Sequence, residues 1–340
     1  MKKAITTIIT LSLFCILNSY SQNTHTISPN PAFDADFTSL KAACESFTVQ
    51  EGDLLFLHGG AYGNDTISKQ VGIVGPGYFL GTNGEASFQA TINTAAFQDI
   101  YIAPDGESSF ITGLQLKYFD INAANVFISR CYLTDKIRLR EGSNYTNIEQ
   151  CYVLRGFYTY KTSPSTLNIK NTFVGRSGNE SFYAPNGASI YRKVSGSIQN
   201  CIIIGRQSAF WDIGACSNNI FSGGTSGNYF NDGESTFNNN IWVYNLSTYD
   251  GVANNQVGVA YSSLFVGSTG NSTDSQWQLS ENSLAKNAGV GGTDCGIFGG
   301  DNPYILSGLP GIPNIYHLTT PNTANGGGGL YVQIKAKTNP

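Results

Sequence analysis

The chain has 340 residues, only 12% of them charged, and its formal net charge is −4. Charged residues make up about 25% of an ordinary globular domain, and the many Gly, Tyr and Phe residues (39, 19 and 20) suit tight turns and β-strands. This composition excludes a helix-rich fold, and the acidic balance argues against a protein built to bind nucleic acid.

The first 22 residues, MKKAITTIITLSLFCILNSYSQ, have the pattern of a secretory signal peptide. Lys2 and Lys3 precede an apolar stretch, and Ser19 and Ser21 form a small-x-small cleavage site. We therefore assign residues 1–21 to a signal peptide. No later stretch has 18 consecutive apolar residues, the length at which a membrane-spanning helix is expected. The sequence thus predicts a secreted protein, extracellular or at the cell surface, without a membrane span.

Residues 22–50 form an N-terminal segment in which we expect a capping helix. Within ADFTSLKAACESF (35–47), four apolar residues recur at the spacing of a helix face: Phe37, Leu40, Cys44 and Phe47. A solenoid needs such a cap because an open end exposes core side chains and unpaired strand groups. The following VGIVGPGYFLGTNG (71–84) predicts an early coil with its corner at residues 75–77.

One short pattern, apolar–x–x–Cys/Asn/Thr–apolar–apolar, recurs along the middle of the chain. Its marker positions, 17 to 29 residues apart, are Leu114, Cys131, Cys151, Thr172, Cys201, Asn219, Asn240 and Ser263. A period near 20 with Gly, Asn and Ser between short β-prone runs is typical of a β solenoid, since helical repeats are longer. We predict an all-β fold, a right-handed parallel β-helix of nine or ten coils over residues 51–300. The uneven coil lengths favour the right-handed form.

Equivalent residues of successive coils should stack in columns about 4.8 Å apart. Asparagines at the bend would then form a hydrogen-bonded ladder: Asn171, Asn200, Asn218, Asn219, Asn239 and Asn240. Cys131, Cys151 and Cys201 would be small, buried members of such a column. Because Cys131 and Cys151 occupy adjacent coils, both stacked thiols and a disulfide fit the spacing. A zinc site is not expected, because the chain has no CxxC pair and only three His.

On these features, residues 35–265 resemble the pectate-lyase-like superfamily of right-handed parallel β-helices. The tail GIFGGDNPYILSGLPGIPNIY (296–316) resembles a closing segment of secreted bacterial β-helix proteins. We place a closing segment with short strands at residues 301–340. The resemblance implies the fold and leaves the reaction open, because one fold hosts many activities.

Charge is distributed unevenly along the chain. Residues 128–206 contain 11 basic and 4 acidic residues, whereas the rest of the mature chain contains 6 basic and 19 acidic residues. Such asymmetry indicates an anionic partner for the central coils. The repeat register aligns four cations into a ridge on one side: Lys136, Arg155, Arg176 and Arg206. An insertion in the longest coil, SGNESFYAPNGAS (177–189), would bulge over this ridge.

Guanidinium groups suit carboxylates and sulfates, and aromatic rings offer flat apolar faces to sugars. We therefore predict that the partner is an anionic polysaccharide or a cell-surface glycan. The expected substrate-binding residues are Arg138, Arg140, Arg155, Arg176, Tyr191, Arg192, Arg206 and Trp211. The protein is expected to act as a monomer.

Cleavage of the ligand, where it occurs, would proceed by β-elimination, because the patch offers cations and phenols. The candidate catalytic residues are Lys136, Arg155, Tyr158, Tyr160, Lys161 and Arg176. Hydrolysis would need paired carboxylates, but Asp212 is isolated, and Asp232 and Glu234 lie in a turn-like context. We predict no metal and no cofactor, because the patch lacks the acidic cluster through which many β-helix lyases bind Ca²⁺.

A second class of function is also compatible with the sequence. In a non-catalytic cell-surface scaffold or adhesin, the same Tyr and Arg residues would only cover and solubilise the strands. Nucleic acid is not expected as a partner, because both ends of the chain are acidic.

Overall fold

The computed structural model describes a mostly β structure. The residues that it describes are 22–81, 92–161, 163, 165–176, 180–183, 194–207, 214–222, 236–245, 252–267, 274–320 and 330–338. The signal peptide assigned to residues 1–21 lies outside this set and stays a prediction.

Short strands make up most of the described chain. In chain order they are β1 (Thr24–Ile27), β2 (Leu54–Leu57), β3 (Gly60–Ile67), β4 (Gly72–Val74), β5 (Ala95–Ile102), β6 (Phe110–Thr112), β7 (Gln115–Ile121), β8 (Phe127–Ser129), β9 (Tyr132–Leu133), β10 (Ile137–Leu139), β11 (Thr146–Glu149), β12 (Tyr152–Val153), β13 (Phe157–Thr159), β14 (Ser165–Lys170), β15 (Phe173–Val174), β16 (Glu180–Tyr183), β17 (Val194–Gln199), β18 (Ile202–Ile203), β19 (Arg206–Gln207), β20 (Ala215–Ser217), β21 (Ile220–Phe221), β22 (Thr236–Asn238), β23 (Ile241–Trp242), β24 (Asn314–Thr319) and β25 (Gln333–Lys337).

Two long parallel sheets contain nearly all of these strands. Sheet A has ten, in the order β1-β2-β4-β6-β8-β11-β14-β17-β20-β22. Sheet B has thirteen: β3 pairs with β5 and β5 with β7, where the sheet divides into one branch through β9, β12, β15, β18, β21 and β23 and another through β10, β13, β16 and β19. Successive strands of each sheet are parallel and follow one another along the chain, which is consistent with a parallel β solenoid. Its handedness and number of coils stay predictions.

Alternate residues of the sheet A strands point inward and stack on their equivalents. Ile111, Ile128, Ile148, Ile169 and Ile198 pair in succession, and each is at most 1% exposed. β-Branched side chains pack well on such a pleated surface. The predicted stacking of equivalent apolar positions is therefore confirmed for these strands.

The single described α-helix, α1 (Leu40–Glu45), is shorter than the predicted apolar pattern. Its first two N–H groups, of Leu40 and Lys41, donate to the Asp65 carboxylate at 2.7 and 2.8 Å. Ser39 caps the same end, so the orphan donors of the first turn are satisfied. Phe47, predicted on the apolar face, is 89% exposed. The capping role of α1 stays a prediction.

The marker positions of the repeat form a buried polar ladder in the later coils. The Asn219 amide donates to Asn240 Oδ1 at 3.0 Å, and the Asn240 amide donates to Asn255 Oδ1 at 3.1 Å. All three side chains are buried, and each bond crosses from one coil to the next. The eighth predicted marker is wrong, because the ladder continues to Asn255, whereas Ser263 is exposed in the 3₁₀ turn Tyr261–Ser263.

The cysteines of the earlier coils are stacked thiols. Cys131 and Cys151 precede the paired residues Tyr132 and Tyr152, and both are free and buried. Burial, together with the neighbouring Cys131 thiol, raises the pKa of Cys151. Burial also raises the pKa of Cys201 to about 12. Thiols in such surroundings stay protonated and unreactive.

A second column precedes the ladder by one residue and has left-handed backbone angles. Its φ values lie between 45° and 59°, and its members are Arg130, Gln150, Asn171, Asn200, Asn218 and Asn239. Asn adopts this conformation more readily than most residues, which explains its recurrence at this bend. These asparagines were predicted to belong to the ladder, but most of their contacts are with the C-terminal part of the chain.

That part, residues 285–312, forms a C-terminal strap along the left-handed column. The Asn239 amide donates to Ala288 O at 2.9 Å, Asn171 to Gly299 O at 2.7 Å, and the Arg130 guanidinium to Leu309 O at 2.8 Å. Asn200 binds Asp294 O and Gln150 binds Pro303 O between these points. The strap therefore runs from the last coils back toward the first, and it begins before residue 301.

After the strap, β24 and β25 form an antiparallel pair. This agrees with the short strands predicted near the C-terminus, and residues 321–329 and 339–340 lie outside the described set. Within the described ranges, no helix combines the length and the apolar character needed to cross a membrane.

A buried carboxylate fastens the N-terminal strand to the first sheet. Asp53 accepts hydrogen bonds from the N–H groups of Gln50 (2.8 Å) and Asn23 (2.9 Å) and from His25 Nε2 (3.2 Å). Burial disfavours its charge, but these hydrogen bonds outweigh burial, and the pKa of Asp53 lies below its ordinary value of 3.8. The lowered pKa means that ionised Asp53 stabilises the fold.

We expect Asp53→Asn to lower the free energy of unfolding by about 1–3 kcal/mol at neutral pH. Because the folded-state pKa is lowered, the contribution of Asp53 is complete above pH 3.8 and is lost as the pH falls through the lower folded-state value. The difference in Tm between wild type and Asp53→Asn should therefore shrink in acid. Thermal melts across this range measure it, with exposed Asp34→Asn as control. A difference that stays constant down to the lowest pH would contradict the assignment.

Candidate functional site

The outward surface of one branch of sheet B carries a dense network of acids, arginines and tyrosines. Across β5 and β7, Asp99 pairs with Tyr118 and Tyr101 with Asp120, and Arg138 of β10 pairs with Asp120. Parallel strands lie about 4.8 Å apart, so these side chains meet although they are about 20 residues apart in sequence. We call this surface the Asp–Tyr–Arg face, comprising Asp99, Tyr101, Tyr118, Asp120, Asp135, Lys136, Arg138, Arg140, Tyr158 and Tyr160.

Asp120 is held by two arginines. Arg138 Nη1 donates to its Oδ2 at 2.8 Å, and Arg140 Nε donates to its Oδ1 at 2.7 Å. Partial burial disfavours the charge of Arg138, but the hydrogen bond and charge of Asp120 outweigh it and raise the pKa of Arg138. The guanidinium of Arg138 lies 3.6 Å from the Tyr118 ring centre, and that of Arg140 lies 4.3 Å from the Tyr160 ring centre. Both arginines are thus fixed by a carboxylate and an aromatic ring.

Asp135 organises the neighbouring part of the face. It accepts a hydrogen bond from Tyr118 Oη at 2.7 Å and forms ion pairs with Lys136 at 3.3 Å and Arg155 at 3.8 Å. The hydrogen bond to Asp135, reinforced by burial, raises the pKa of Tyr118. Lys136 Nζ lies 4.0 Å from the ring centre of Tyr158. The cations here are therefore largely neutralised within the protein.

Two hollows lie side by side on the face and share Tyr101 and Asp120. One, of about 370 Å³, lies toward α1 and is also lined by Ser39, Lys41, Asn64, Asp65, Thr66 and Asp99. The other, of about 530 Å³, is also lined by Asn122, Arg140, Glu141 and Tyr160. Together they form a groove across the strands, parallel to the direction in which the coils stack.

Asp99 differs from the other carboxylates of the face. It is half-buried and, among the described residues, has neither a hydrogen bond to its side chain nor an ion pair. Burial, with the nearby charge of Asp120, outweighs the attraction of Arg138 and raises the pKa of Asp99. Of the carboxylates that line the groove, Asp99 is thus shifted toward its protonated form, whereas Asp120 is ion-paired.

The structure brings together several residues that the sequence analysis singled out. Lys136, Arg138, Arg140, Tyr158 and Tyr160 all belong to the Asp–Tyr–Arg face. Arg155 is 57% exposed at its edge. Arg176 is also exposed and occupies the equivalent turn of the next coil, two residues after the paired positions Val153 and Val174. The predicted alignment of Arg155 with Arg176 is therefore confirmed.

For Lys136, Arg206 and Lys161 the structure differs from the predicted arrangement. The strand pairing makes Asp135 the equivalent of Arg155 in the neighbouring coil. Lys136 is the next residue along the chain, so it does not align with Arg155 as the predicted ridge required. Arg206 lies in β19 opposite Glu180. Lys161 is only 2% exposed, and its Nζ donates to the carbonyls of Arg140 and Glu141 at 3.3 and 2.5 Å. Burial lowers the pKa of Lys161, but its ammonium holds a turn, and it is not among the residues lining the two hollows.

Part of the predicted binding surface cannot be placed. Tyr191, Arg192, Trp211, Asp212, Asp232 and Glu234, and the side chain of Arg206, lie outside the described residues. Of the predicted insertion 177–189, four residues form β16, which pairs with β13 and extends the sheet. For residues 180–183 the expectation of a bulging loop is therefore wrong.

Sequence reasoning missed the acidic members of the face. Asp99 and Asp120 precede the basic segment 128–206. Asp135 lies within that segment, but it was considered only as one of the segment's four acidic residues. The available signal was the repeat period, because counting back 18 residues from Arg138 leads to Asp120. Within the part of the chain that the structure describes, no three His, Cys, Asp or Glu side chains are grouped so as to hold a metal ion.

Comparison with known proteins returned no relative. No family model matches the chain, and neither a curated protein nor a solved structure matches it. The likeness to the pectate-lyase-like superfamily therefore rests on the sequence pattern and the parallel sheets, and any function must be argued from the site itself.

Proposed function

We propose that the protein binds an anionic polysaccharide in the groove of the Asp–Tyr–Arg face. The observation that carries this proposal is the groove itself, with Tyr101 and Tyr160 in its walls and Arg140 fixed between Asp120 and the Tyr160 ring. Side chains held in place before binding lose little conformational entropy when a ligand arrives. Sugar rings would lie against the tyrosines, and acidic groups would meet the guanidinium groups.

The exposed cations at the edge of the face support an acidic ligand. Arg155 is mostly exposed, and its ion pair with Asp135 is long at 3.8 Å. Arg176 is exposed in the neighbouring turn. A carboxylate or sulfate along this edge would gain two guanidinium contacts at little desolvation cost.

Cleavage by β-elimination is the second part of the proposal. Elimination needs a base that is unprotonated at neutral pH, but Lys136 is ion-paired and the pKa of Tyr118 is raised. Lys161 is engaged by backbone carbonyls. Tyr158 and Tyr160 are the remaining candidates for the proton transfer, with Arg155 or Arg176 on the uronate carboxylate.

The proposal also includes the superfamily, the handedness of the solenoid and the export of the protein. We place the chain in the pectate-lyase-like superfamily as a right-handed β-helix of nine or ten coils with α1 as its N-terminal cap. We further propose that it is exported and acts outside the cell as a monomer. The parallel sheets and the signal-like N-terminus support this reading.

Binding can be tested on arrays of alginate, pectate and sulfated glycans at low and raised salt. We expect wild type to bind in a salt-sensitive manner. The double substitution Arg155→Ala/Arg176→Ala should weaken binding at least about tenfold, or 1.4 kcal/mol. Lys335→Ala/Lys337→Ala is the matched control, because it removes two cations from β25, outside the face.

The results of this test distinguish a specific glycan-binding site from a non-catalytic scaffold. Equal loss in both double variants would point to nonspecific charge attraction and contradict a specific site. The absence of binding to any glycan at low salt would favour the alternative, a non-catalytic cell-surface scaffold or adhesin.

A further inference from the structure

Two of the carboxylates that line the groove, Asp99 and Asp120, lie in different surroundings. Asp120 lines both hollows, and its two oxygens each accept one arginine hydrogen bond. A carboxylate has about four acceptor positions, so Asp120 keeps acceptor capacity for another donor. Asp99 lines the first hollow without an ion pair among the described residues. Their environments separate the two acids into an ion-paired group and a half-buried, unpaired one.

The strand register sets the separation of these two acids. Asp99 pairs with Tyr118, and Asp120 lies two residues beyond Tyr118 on the same outward face. With strands about 4.8 Å apart and a rise of about 3.3 Å per residue, this diagonal spans roughly 8 Å between Cβ atoms. Inverting glycosidases place their carboxyl groups about 6.5–9.5 Å apart, which leaves room for a water molecule. A Cβ separation of this size is compatible with a water molecule between the two carboxyl groups, which hydrolysis with inversion requires.

We propose that Asp99 and Asp120 hydrolyse a glycosidic bond of the polysaccharide bound in this groove. This inference rests on the proposed binding function. It replaces elimination as the expected chemistry, because hydrolysis requires a pair of carboxylates and the strand register brings Asp99 and Asp120 to one face. The substrate class is a polysaccharide whose acidic units lie toward the arginines.

The step balances with water as the only co-reactant. Asp99 gives its proton to the leaving glycosidic oxygen as the bond from that oxygen to the anomeric carbon breaks. Asp120 accepts a proton from water, whose oxygen forms the new bond to the anomeric carbon from the opposite face. Exchange with solvent then returns a proton to Asp99 and removes one from Asp120. The raised pKa of Asp99 supports its role as the donor.

The arginines have a positioning role in this scheme. Arg138 and Arg140 orient the Asp120 carboxylate, each through one hydrogen bond to one of its oxygens. The tyrosine rings beneath them fix the guanidinium planes. The donor should work only while protonated, so the rate should fall as the pH rises above the pKa of Asp99.

The test follows cleavage and binding in the same samples. Wild type, Asp99→Asn and the control Asp105→Asn, which changes an exposed residue of the 3₁₀ turn Pro104–Gly106, are incubated with alginate, pectate, sulfated and neutral polysaccharides. We expect wild type and Asp105→Asn to release reducing ends without near-ultraviolet absorbance, and the new ends to have inverted anomeric configuration by NMR. Asp99→Asn should cut at least about 100-fold more slowly while the polymer still binds detectably.

Failure of hydrolysis and failure of binding give different results. Polymers that bind to wild type but stay uncut would overturn hydrolysis and leave binding intact. A product that absorbs in the near ultraviolet would establish elimination instead, and an Asp99→Asn variant that cuts at the wild-type rate would remove Asp99 from the mechanism. Retained anomeric configuration would exclude the single-displacement geometry. If no polymer binds, the proposed function itself is wrong.

Discussion

Replacing Ile148 by aspartate is expected to prevent the protein from folding. Ile148 is fully buried between Ile128 and Ile169 of the adjacent strands. Aspartate there removes an apolar side chain from the core column, at a cost of about 2–5 kcal/mol. It also buries a carboxylate without a partner, which costs several kcal/mol more. The sum is comparable to the whole free energy of unfolding of a typical domain, about 5–15 kcal/mol.

Circular dichroism and thermal melting measure this effect. Asn147→Asp is the matched control, because Asn147 is the preceding residue of β11 and is only partly buried; it should change stability by less than about 0.5 kcal/mol. Ile148→Val keeps an apolar side chain and should cost about 0.5–1.5 kcal/mol. An Ile148→Asp variant that melts with the wild-type Tm would show that β11 faces the other way.

Replacing Asn240 by leucine is expected to cost about 3–5 kcal/mol of unfolding free energy. The Asn240 amide donates to Cys216 O at 3.0 Å, and its Oδ1 accepts from the Asn219 N–H at 2.9 Å. Leucine has a similar size but leaves both backbone groups buried without these partners. Each such orphaned group costs about 1–3 kcal/mol, and the bond to Asn255 is lost as well.

Urea denaturation gives the change directly. Asn238→Leu is the control, because Asn238 lies two residues earlier in β22 and is exposed; its effect should stay within about 0.5 kcal/mol. Equal effects of the two substitutions would mean that the ladder contributes nothing beyond ordinary surface asparagines.

The comparison of Asn239 with Asn240 shows what a repeat pattern reveals and what it hides. Both were expected in one ladder because both recur at the bend. The structure separates them by backbone conformation: Asn239 has a φ of 56° and binds Ala288 O of the strap, whereas Asn240 faces the interior. Adjacent residues at this bend point to opposite sides of the coil. Asn240 therefore lies in the core, and Asn239 binds the strap.

The charges of the candidate site also could not be understood from the sequence pattern alone. By sequence, residues 128–206 look strongly basic. In the structure, Arg138 and Arg140 lie against Asp120 from the preceding coil, and Arg155 lies against Asp135. A charge count along the chain cannot show this, because the neighbours of a side chain in a parallel sheet are about one coil away in sequence. The resulting face combines acids with arginines, and this makes hydrolysis a candidate.

The elements that depend on local pattern could be predicted from the amino-acid sequence alone. Alternating apolar residues and recurrent turns predicted parallel strands in a solenoid. The period near 20 identified the Ile and Asn columns, because each coil of a solenoid repeats the same residue types at equivalent positions. The strands that lie side by side at the site, the shared groove of Asp99 and Asp120, and the path of the strap became known only from the folded structure. Arg130 and Leu309 are 179 residues apart, and no local preference connects them. Contacts of this kind form only once the whole solenoid has brought both segments to one surface.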